Sequence, residues 1–161
     1  MKRLTLVRHG KSSWEENLPD DKRPLQKRGE NDGELVSKTF KSFLSKPLLI
    51  WSSPAIRALE TAKIFKRNLN IADEDFIVIN SLYTFNVNDL FNQIKNCDNS
   101  IDNLMIFGHN PATTNLVNLL GDTYLDNVPT TGLTMFDFKT DSWEKIENGK
   151  TILSLFPKNL R

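Results

Sequence analysis

Residues 3–10 read Arg-Leu-Thr-Leu-Val-Arg-His-Gly, a short apolar run that ends in an arginine, a histidine and a glycine. Leucine, threonine and valine in a run of this length are typical of a buried strand, and the polar residues after it indicate a loop. Two later stretches have the same form. Residues 47–57 read Pro-Leu-Leu-Ile-Trp-Ser-Ser-Pro-Ala-Ile-Arg, and residues 103–111 read Asn-Leu-Met-Ile-Phe-Gly-His-Asn-Pro. Each predicts a strand that is followed at once by polar side chains.

The segments between these strands have helical spacing. Apolar residues recur three and four positions apart in the stretches 25–44, 54–68, 88–95 and 111–120. Shorter apolar runs predict further strands at 76–79, 133–138 and 151–155. This alternation predicts an α/β fold, a three-layer sandwich in which helices flank a mixed, mostly parallel central sheet.

Ser53 and Pro54 predict where the second helix begins. A serine hydroxyl can cap free backbone N–H groups, and proline suits the first position of a helix. We therefore expect Ser53 to cap a helix that starts at Pro54.

The composition limits the possible partners. The chain has 161 residues and a formal net charge of +1, from 21 Lys plus Arg and 20 Asp plus Glu. A single domain over residues 1–161 is expected, since domains usually span ~100–200 residues. The near-neutral balance gives no reason to expect nucleic acid as a partner. One cysteine, Cys97, excludes an internal disulfide, and two histidines with one cysteine form no zinc-type metal cluster.

We expect no targeting signal in the N-terminal segment. Arg8 interrupts the apolar run that begins at Leu4, whereas a signal peptide needs ~7–15 apolar residues. No apolar run approaches the ~18–20 residues that span a bilayer. We expect a cytoplasmic protein with no membrane partner.

The three strand ends are predicted to form one site. Ligands of open α/β sheets bind outside the carboxyl ends of the strands, so parallel neighbours would bring Arg8, His9, Arg57 and His109 together. Guanidinium groups are suited to phosphate oxygens. An unprotonated imidazole nitrogen is a nucleophile toward phosphorus, and a backbone carbonyl bonded to the other nitrogen would select the reactive tautomer.

The same residues carry a family resemblance. Arg-His-Gly at 8–10, Ser-Pro-Ala-Ile-Arg-Ala-Leu-Glu-Thr-Ala at 53–62 and Gly-His-Asn at 108–110 resemble, in this order, the histidine phosphatase (phosphoglycerate mutase-like) superfamily. Asp-Lys-Arg-Pro-Leu-Gln-Lys-Arg-Gly at 21–29 is similar to the Arg-Pro-Leu segment of its small SixA-type branch, the phosphohistidine phosphatases. The resemblance spans nearly the whole chain and implies a phosphoglycerate mutase-like fold.

The resemblance implies a role for each strand-end residue. His9 would be the nucleophile that becomes phosphorylated, and water would then remove the phosphate. Arg8 and Arg57 would bind phosphate oxygens, and His109 would stabilise the transition state. No metal or organic cofactor is implied. Ser12 and Asn110 are further candidates to donate to phosphate, although turn and capping roles explain them equally well.

One departure from the superfamily bears on the substrate. Mutases and many phosphomonoesterases of this superfamily carry a glutamate proton donor after the third strand, and residues 80–86 contain no acid. An alkoxide leaving group benefits from a general acid, whereas a phosphoramidate nitrogen is readily protonated beforehand. The missing carboxylate favours phosphohistidine on a protein over sugar phosphates. A substitute acid could come from the first loop, which contains Glu15, Glu16, Asp20 and Asp21.

Three functions stay open at this point. The favoured one is a cofactor-independent phosphatase of SixA type that acts on a phosphorylated protein. The second is a phosphomonoesterase for a small phosphorylated metabolite. The third is a phosphate- or phosphoprotein-binding module that does not turn over.

Overall fold

The computed structural model describes all residues, 1–161, and is built on one six-stranded sheet. The strands are Lys2–Arg8 (β1), Leu49–Ser52 (β2), Phe76–Val78 (β3), Asn103–Gly108 (β4), Leu133–Phe138 (β5) and Lys150–Leu155 (β6). Their order across the sheet is β3-β2-β4-β1-β5-β6. The first four of these run parallel, β5 runs antiparallel to its neighbours β1 and β6, and β6 therefore has the same direction as the first four. The predicted mixed, mostly parallel sheet is confirmed.

Five helices cover the two faces of the sheet. They are Lys27–Phe40 (α1), Ile56–Asn68 (α2), Val87–Lys95 (α3), Ala112–Leu120 (α4) and Pro157–Leu160 (α5). Helix α1 packs against α2, and α3 packs against α4. None of these helices has the length and apolar character that a membrane crossing requires.

Alternate residues of the central strands belong to the two cores. Leu104 and Ile106 of β4 pack with residues of α3 and α4, whereas Met105 and Phe107 pack with residues of α1 and α2. All four side chains are at most 1% exposed. Burial of such a side chain stabilises the fold by roughly 1.5–3 kcal/mol. Burial on both faces explains why β4 is a continuous apolar run rather than an alternating one.

The strand register places three strand ends at one level. Arg8 of β1 lies opposite Gly108 of β4, and Ser52 of β2 lies opposite Phe107. The backbone N–H of His9 donates to the Gly108 carbonyl at 3.0 Å, and that of Ser53 donates to the Phe107 carbonyl at 3.0 Å. The residues that follow β1, β2 and β4 therefore leave the sheet side by side.

The predicted start of α2 is wrong. The helix begins at Ile56, and Ala55 before it is extended, with a ψ of 135° and no side-chain cap. The Ser53 hydroxyl lies 2.8 Å from Nε2 of His109 and accepts from the N–H of Ala55 at 3.2 Å. The backbone N–H of Ser53 donates to the Phe107 carbonyl and its hydroxyl contacts His109, so the Ser53 side chain does not cap α2.

Helix α1 packs directly on the loop that follows β1. A Cβ atom on Gly29 would lie 2.5 Å from the Lys11 carbonyl oxygen and 3.0 Å from the Lys11 nitrogen. The N–H of Gln26 donates to that same Lys11 carbonyl at 2.8 Å. Glycine is needed at position 29 because the helix approaches backbone there.

We predict that Gly29→Ala destabilises the fold, although alanine is the better helix former by about 1 kcal/mol. Contact with the Lys11 backbone should outweigh that gain, since overpacking costs about 1–3 kcal/mol. The matched control is Gly33→Ala in the same helix, where the new Cβ atom would meet the side chain of Ile64, nearest at its terminal Cδ1 at 3.0 Å, and no backbone atom among its nearest neighbours. Urea unfolding of both variants measures the difference. A Gly29→Ala variant as stable as Gly33→Ala would contradict the packing described.

Candidate active site

His9 lies at the end of β1 with one defined tautomer. Its Nδ1 atom is 2.8 Å from the Gly10 carbonyl oxygen. A carbonyl only accepts, so the neutral ring carries its proton on Nδ1 and its lone pair on Nε2. The N–H of Gly10 donates in turn to Oγ1 of Thr61 at 2.9 Å, which fixes the glycine and its carbonyl. The imidazole therefore has Nε2 as its nucleophilic nitrogen, and the lone pair of that atom accepts from Nε of Arg57 at 3.3 Å.

His109 follows β4 and lies beside His9. The centroids of the two rings are 5.3 Å apart. The hydroxyl of Ser53 lies 2.8 Å from Nε2 of His109, whereas the buried Nδ1 has no partner in the protein. When Ser53 donates to Nε2, the proton of neutral His109 is on Nδ1, where it can serve an anion. Both predicted histidines thus occur in one site.

The two predicted arginines also reach this site. Arg57, in the first turn of α2, is 2% exposed and its Nε–H donates to Nε2 of His9 at 3.3 Å. Arg8 is held by a hydrogen bond from Nη1 to the Val128 carbonyl at 2.9 Å, and its buried Nε has no partner. Unpaired N–H groups of guanidinium are strong donors to phosphate oxygens.

Burial keeps both imidazoles neutral. The pKa of His9 is lowered to about 4, chiefly by loss of solvation. The hydrogen bond to the Gly10 carbonyl raises this pKa, and the charges of Arg57 and Arg8 lower it further. Loss of solvation also lowers the pKa of His109 to about 3, with His9 and Arg57 as further causes. At neutral pH the Nε2 lone pair of His9 is therefore available.

The first loop contributes one carboxylate to the site. Oδ2 of Asp20 accepts from Nη2 of Arg57 at 3.0 Å and from the Tyr83 hydroxyl at 2.5 Å, and the Asp20 carbonyl accepts from Nη1 of Arg57 at 2.6 Å. The hydroxyl of Tyr83 and the charge of Arg57 hold the pKa of Asp20 at about 2. Asp20 is therefore ionised at neutral pH.

Ser12 and Asn110 have structural contacts. The Ser12 hydroxyl accepts from Nη1 of Arg23 at 2.5 Å. The oxygen of Asn110 accepts from Thr114, and its amide donates to Asn127 and to the Val128 carbonyl. Substrate binding by Ser12 and Asn110 stays a prediction, and these contacts favour a role in holding Arg23 and the Arg8-binding carbonyl.

This arrangement can bind a tetrahedral dianion, because two guanidiniums and a second imidazole supply donors around the neutral His9 ring. The lone pair of His9 can then attack the central atom of the anion. The sequence model of the histidine phosphatase superfamily (branch 1) matches residues 4–82 of the chain. Over these residues the chain is similar to the histidine phosphatase superfamily. No functionally curated protein matches the sequence at a significant level.

Solved structures of several phosphatases share the fold over almost the whole chain. A protein from Agrobacterium tumefaciens described as the phosphohistidine phosphatase SixA is 25% identical, with a TM-score of 0.81 over 97% of this chain and 98% of that one. The protein histidine phosphatase SixA complexed with tungstate is 20% identical, with a TM-score of 0.82 over 99% of both chains. A mycobacterial glucosyl-3-phosphoglycerate phosphatase is 14% identical, with a TM-score of 0.68 over 95% of this chain and 98% of that one.

Three further residues have contacts with His109 that the sequence pattern does not predict: Ser53, Tyr83 and Phe85. The ring of Tyr83 lies 5.3 Å from that of His109, and the ring of Phe85 lies 5.5 Å from it. For Ser53 the sequence predicts a helix cap or a phosphate donor, whereas its hydroxyl contacts Nε2 of His109. Tyr83 and Phe85 are the aromatic residues of the stretch 80–86, and their aromatic character is the sequence signal that points to them.

We predict that both histidines stay neutral well below the usual range. An ordinary imidazole is roughly nine-tenths protonated at pH 5.5, whereas His9 and His109 should show less than a tenth. The chain has 2 histidines, so two-dimensional NMR of the ring Cε1–H signals of the untagged protein follows each one. His109→Gln assigns the signals. A midpoint near 6.5 for the His9 signal would contradict the burial and tautomer described.

Proposed function

We propose that the chain is a phosphatase that transfers the phosphoryl group of its substrate to Nε2 of His9, with phosphohistidine on a protein as the substrate. The observation that carries this proposal is the neutral, buried His9 imidazole, whose Nε2 accepts from Arg57 and whose ring lies 5.3 Å from that of His109. The cytoplasmic location and the lack of nucleic acid or membrane partners stay predictions from the sequence.

The reaction balances with water as the only co-reactant. The lone pair of Nε2 forms the new P–N bond while the electron pair of the substrate's bond to phosphorus returns to the leaving atom. A leaving imidazole that already carries a proton on its other nitrogen departs as neutral imidazole. Water then attacks phosphorus, its proton goes to the phosphate, and His9 regains its neutral form.

The arginines and His109 would act by position and charge. Phosphoryl transfer requires little covalent chemistry from the protein beyond the nucleophile, so neutralising the equatorial oxygens is the main task. Arg8 Nε and His109 Nδ1 are buried and unpartnered, and both are suited to those oxygens. A donor aimed at developing charge in such a site contributes roughly 3–4 kcal/mol to the transition state.

The state of the carboxylates favours a phosphoramidate over an ester. Asp20 is ionised and cannot donate a proton to a leaving alkoxide. The other three acids of the first loop make no hydrogen bond to Arg57 or to either histidine: Glu15, Glu16 and Asp21. The similarity to the phosphohistidine phosphatase SixA of Agrobacterium tumefaciens, at 25% identity over 97% of this chain, agrees with this choice.

We expect brief exposure to labelled phosphoramidate to place label on His9. The label should be lost in acid and kept in base, as a phosphorus–nitrogen bond requires, and His9→Ala should carry none. Cys97→Ala is the matched control, because it removes the one thiol of the chain, another nucleophilic group, and this variant should label normally. Label that resists acid, or that persists in His9→Ala, would exclude His9 as the nucleophile. Phosphate binding without any label would instead support the non-catalytic module.

We further predict that Arg57→Ala lowers kcat/KM by about 100- to 1000-fold, because it removes donors to the transferring group. Arg67→Ala in the same helix is the control, since that side chain is 62% exposed and pairs only with Glu34. Steady-state release of phosphate from a phosphohistidine protein measures both. A loss of less than fivefold in Arg57→Ala, with the fold intact by circular dichroism, would remove Arg57 from the phosphate site.

A further inference from the structure

Three side chains contact the buried residues of the site from their more exposed side, through Arg57 and His109. They are Asp20 from the loop after β1 and Tyr83 and Phe85 from the loop after β3, and we call them the leaving-group pocket. Three of the four proposed phosphate-site residues are deeply buried, with His9 at 9%, Arg57 at 2% and His109 at 1% exposure, and Arg8 is partly buried. Asp20 and Phe85 are about half exposed, at 46% and 48%. A phosphoryl group at His9 therefore has its substituent directed toward these outer residues.

Two aromatic rings form one side of the pocket. The rings of Tyr83 and Phe85 meet edge to face at 5.8 Å and 74°. Both also contact the buried ring of His109, at 5.3 and 5.5 Å. These pairwise contacts hold Phe85 in place although it is nearly half exposed, since aromatic pairs at such distances attract each other. The result is a fixed aromatic surface beside the reacting atoms.

Asp20 supplies a negative charge on the same rim. Its oxygens accept from Arg57, Tyr83 and, at 3.3 Å, Arg23. A carboxylate offers about four acceptor sites, so one remains for a substrate. The partners that orient Asp20 also keep it ionised. It differs in this from the phosphate-binding residues, which are all cationic or neutral donors.

We propose that the leaving-group pocket binds a protonated, flat nitrogen ring, the imidazolium of a phosphohistidine side chain, with Asp20 accepting from the ring N–H and the two aromatic rings packing on its face. This inference rests on the proposed phosphatase function and adds the residues that select its substrate. Cations lie favourably on aromatic faces, and a charged N–H forms its strongest bonds with carboxylates.

The pocket would also assist the reaction. The substrate's P–N bond breaks most easily when the other ring nitrogen carries a proton, because the ring then leaves as a neutral molecule. The hydrogen bond to Asp20 keeps that proton in place until the electron pair has returned to the ring. A phosphorylated carboxylic acid gains nothing here, because its leaving group is a carboxylate, which the negative charge of Asp20 would repel.

Three phosphoryl donors separate charge from ring shape in a test of this proposal. Phosphoimidazole has a flat ring that can be cationic, phosphoramidate has a cationic leaving group without a ring, and p-nitrophenyl phosphate has a ring without positive charge. Asp20→Asn should lower the ratio of kcat/KM for phosphoimidazole to kcat/KM for p-nitrophenyl phosphate roughly tenfold or more, since a charge-assisted bond is lost. Phe85→Leu should lower the ratio of kcat/KM for phosphoimidazole to kcat/KM for phosphoramidate about two- to fivefold.

The matched control is Asp21→Asn, which removes the same charge one residue away and leaves Arg57 and Tyr83 untouched. Tyr83→Phe is the second variant, because it keeps the ring and removes the hydroxyl bond to Asp20. It should lower the ratio of kcat/KM for phosphoimidazole to that for p-nitrophenyl phosphate, as Asp20→Asn does. An equal fall for all three donors in Asp20→Asn would overturn the pocket, because Asp20 would then only position Arg57. Absence of label on His9 in the unaltered protein would overturn the proposed function itself.

Discussion

Because β1, β2 and β4 run parallel and in register, the side chains that follow them leave the sheet at one edge. Arg8, His9 and His109 come from positions that the strand pairing fixes, and Arg57 comes from the helix that follows β2. A slip of one residue in β1 would turn its apolar side chains to the wrong faces of the sheet. Burial of the two cores therefore fixes the strand register, and the register fixes the positions of the site residues.

The electrostatics of the site follow from this placement. Arg57 and Arg23 are buried near two imidazoles, and Asp20 is the carboxylate that pairs with both arginines. Burial and the arginine charges lower the pKa of both histidines, so a site rich in positive charge contains neutral rings. The free donors of Arg8 and His109 are costly in an apolar interior, by about 1–3 kcal/mol each, and a bound phosphate would satisfy them.

The strands and the residues at their ends could be predicted from the sequence, because apolar runs and the polar residues after them are local features. The rim of the site could not. Tyr83 and Asp20 meet only because two loops, 63 residues apart along the chain, lie over Arg57. The role of Ser53 could not be predicted either, because a serine before a proline also fits a helix cap. Its contact with His109 depends on how the two strand ends pack together. Contacts of this kind depend on the whole fold and leave no periodic signal.

The central claim is that His9, Arg8, Arg57 and His109 face one tetrahedral anion with an imidazole nitrogen aimed at its centre. A crystal structure of the protein with vanadate tests it most directly. The account predicts a five-coordinate vanadium bonded to Nε2 of His9, with equatorial oxygens on Arg8, Arg57 and His109 and the apical oxygen facing Asp20 and Tyr83. Vanadate bound away from His9, or held at this site through Nε2 of His109 instead, would contradict it.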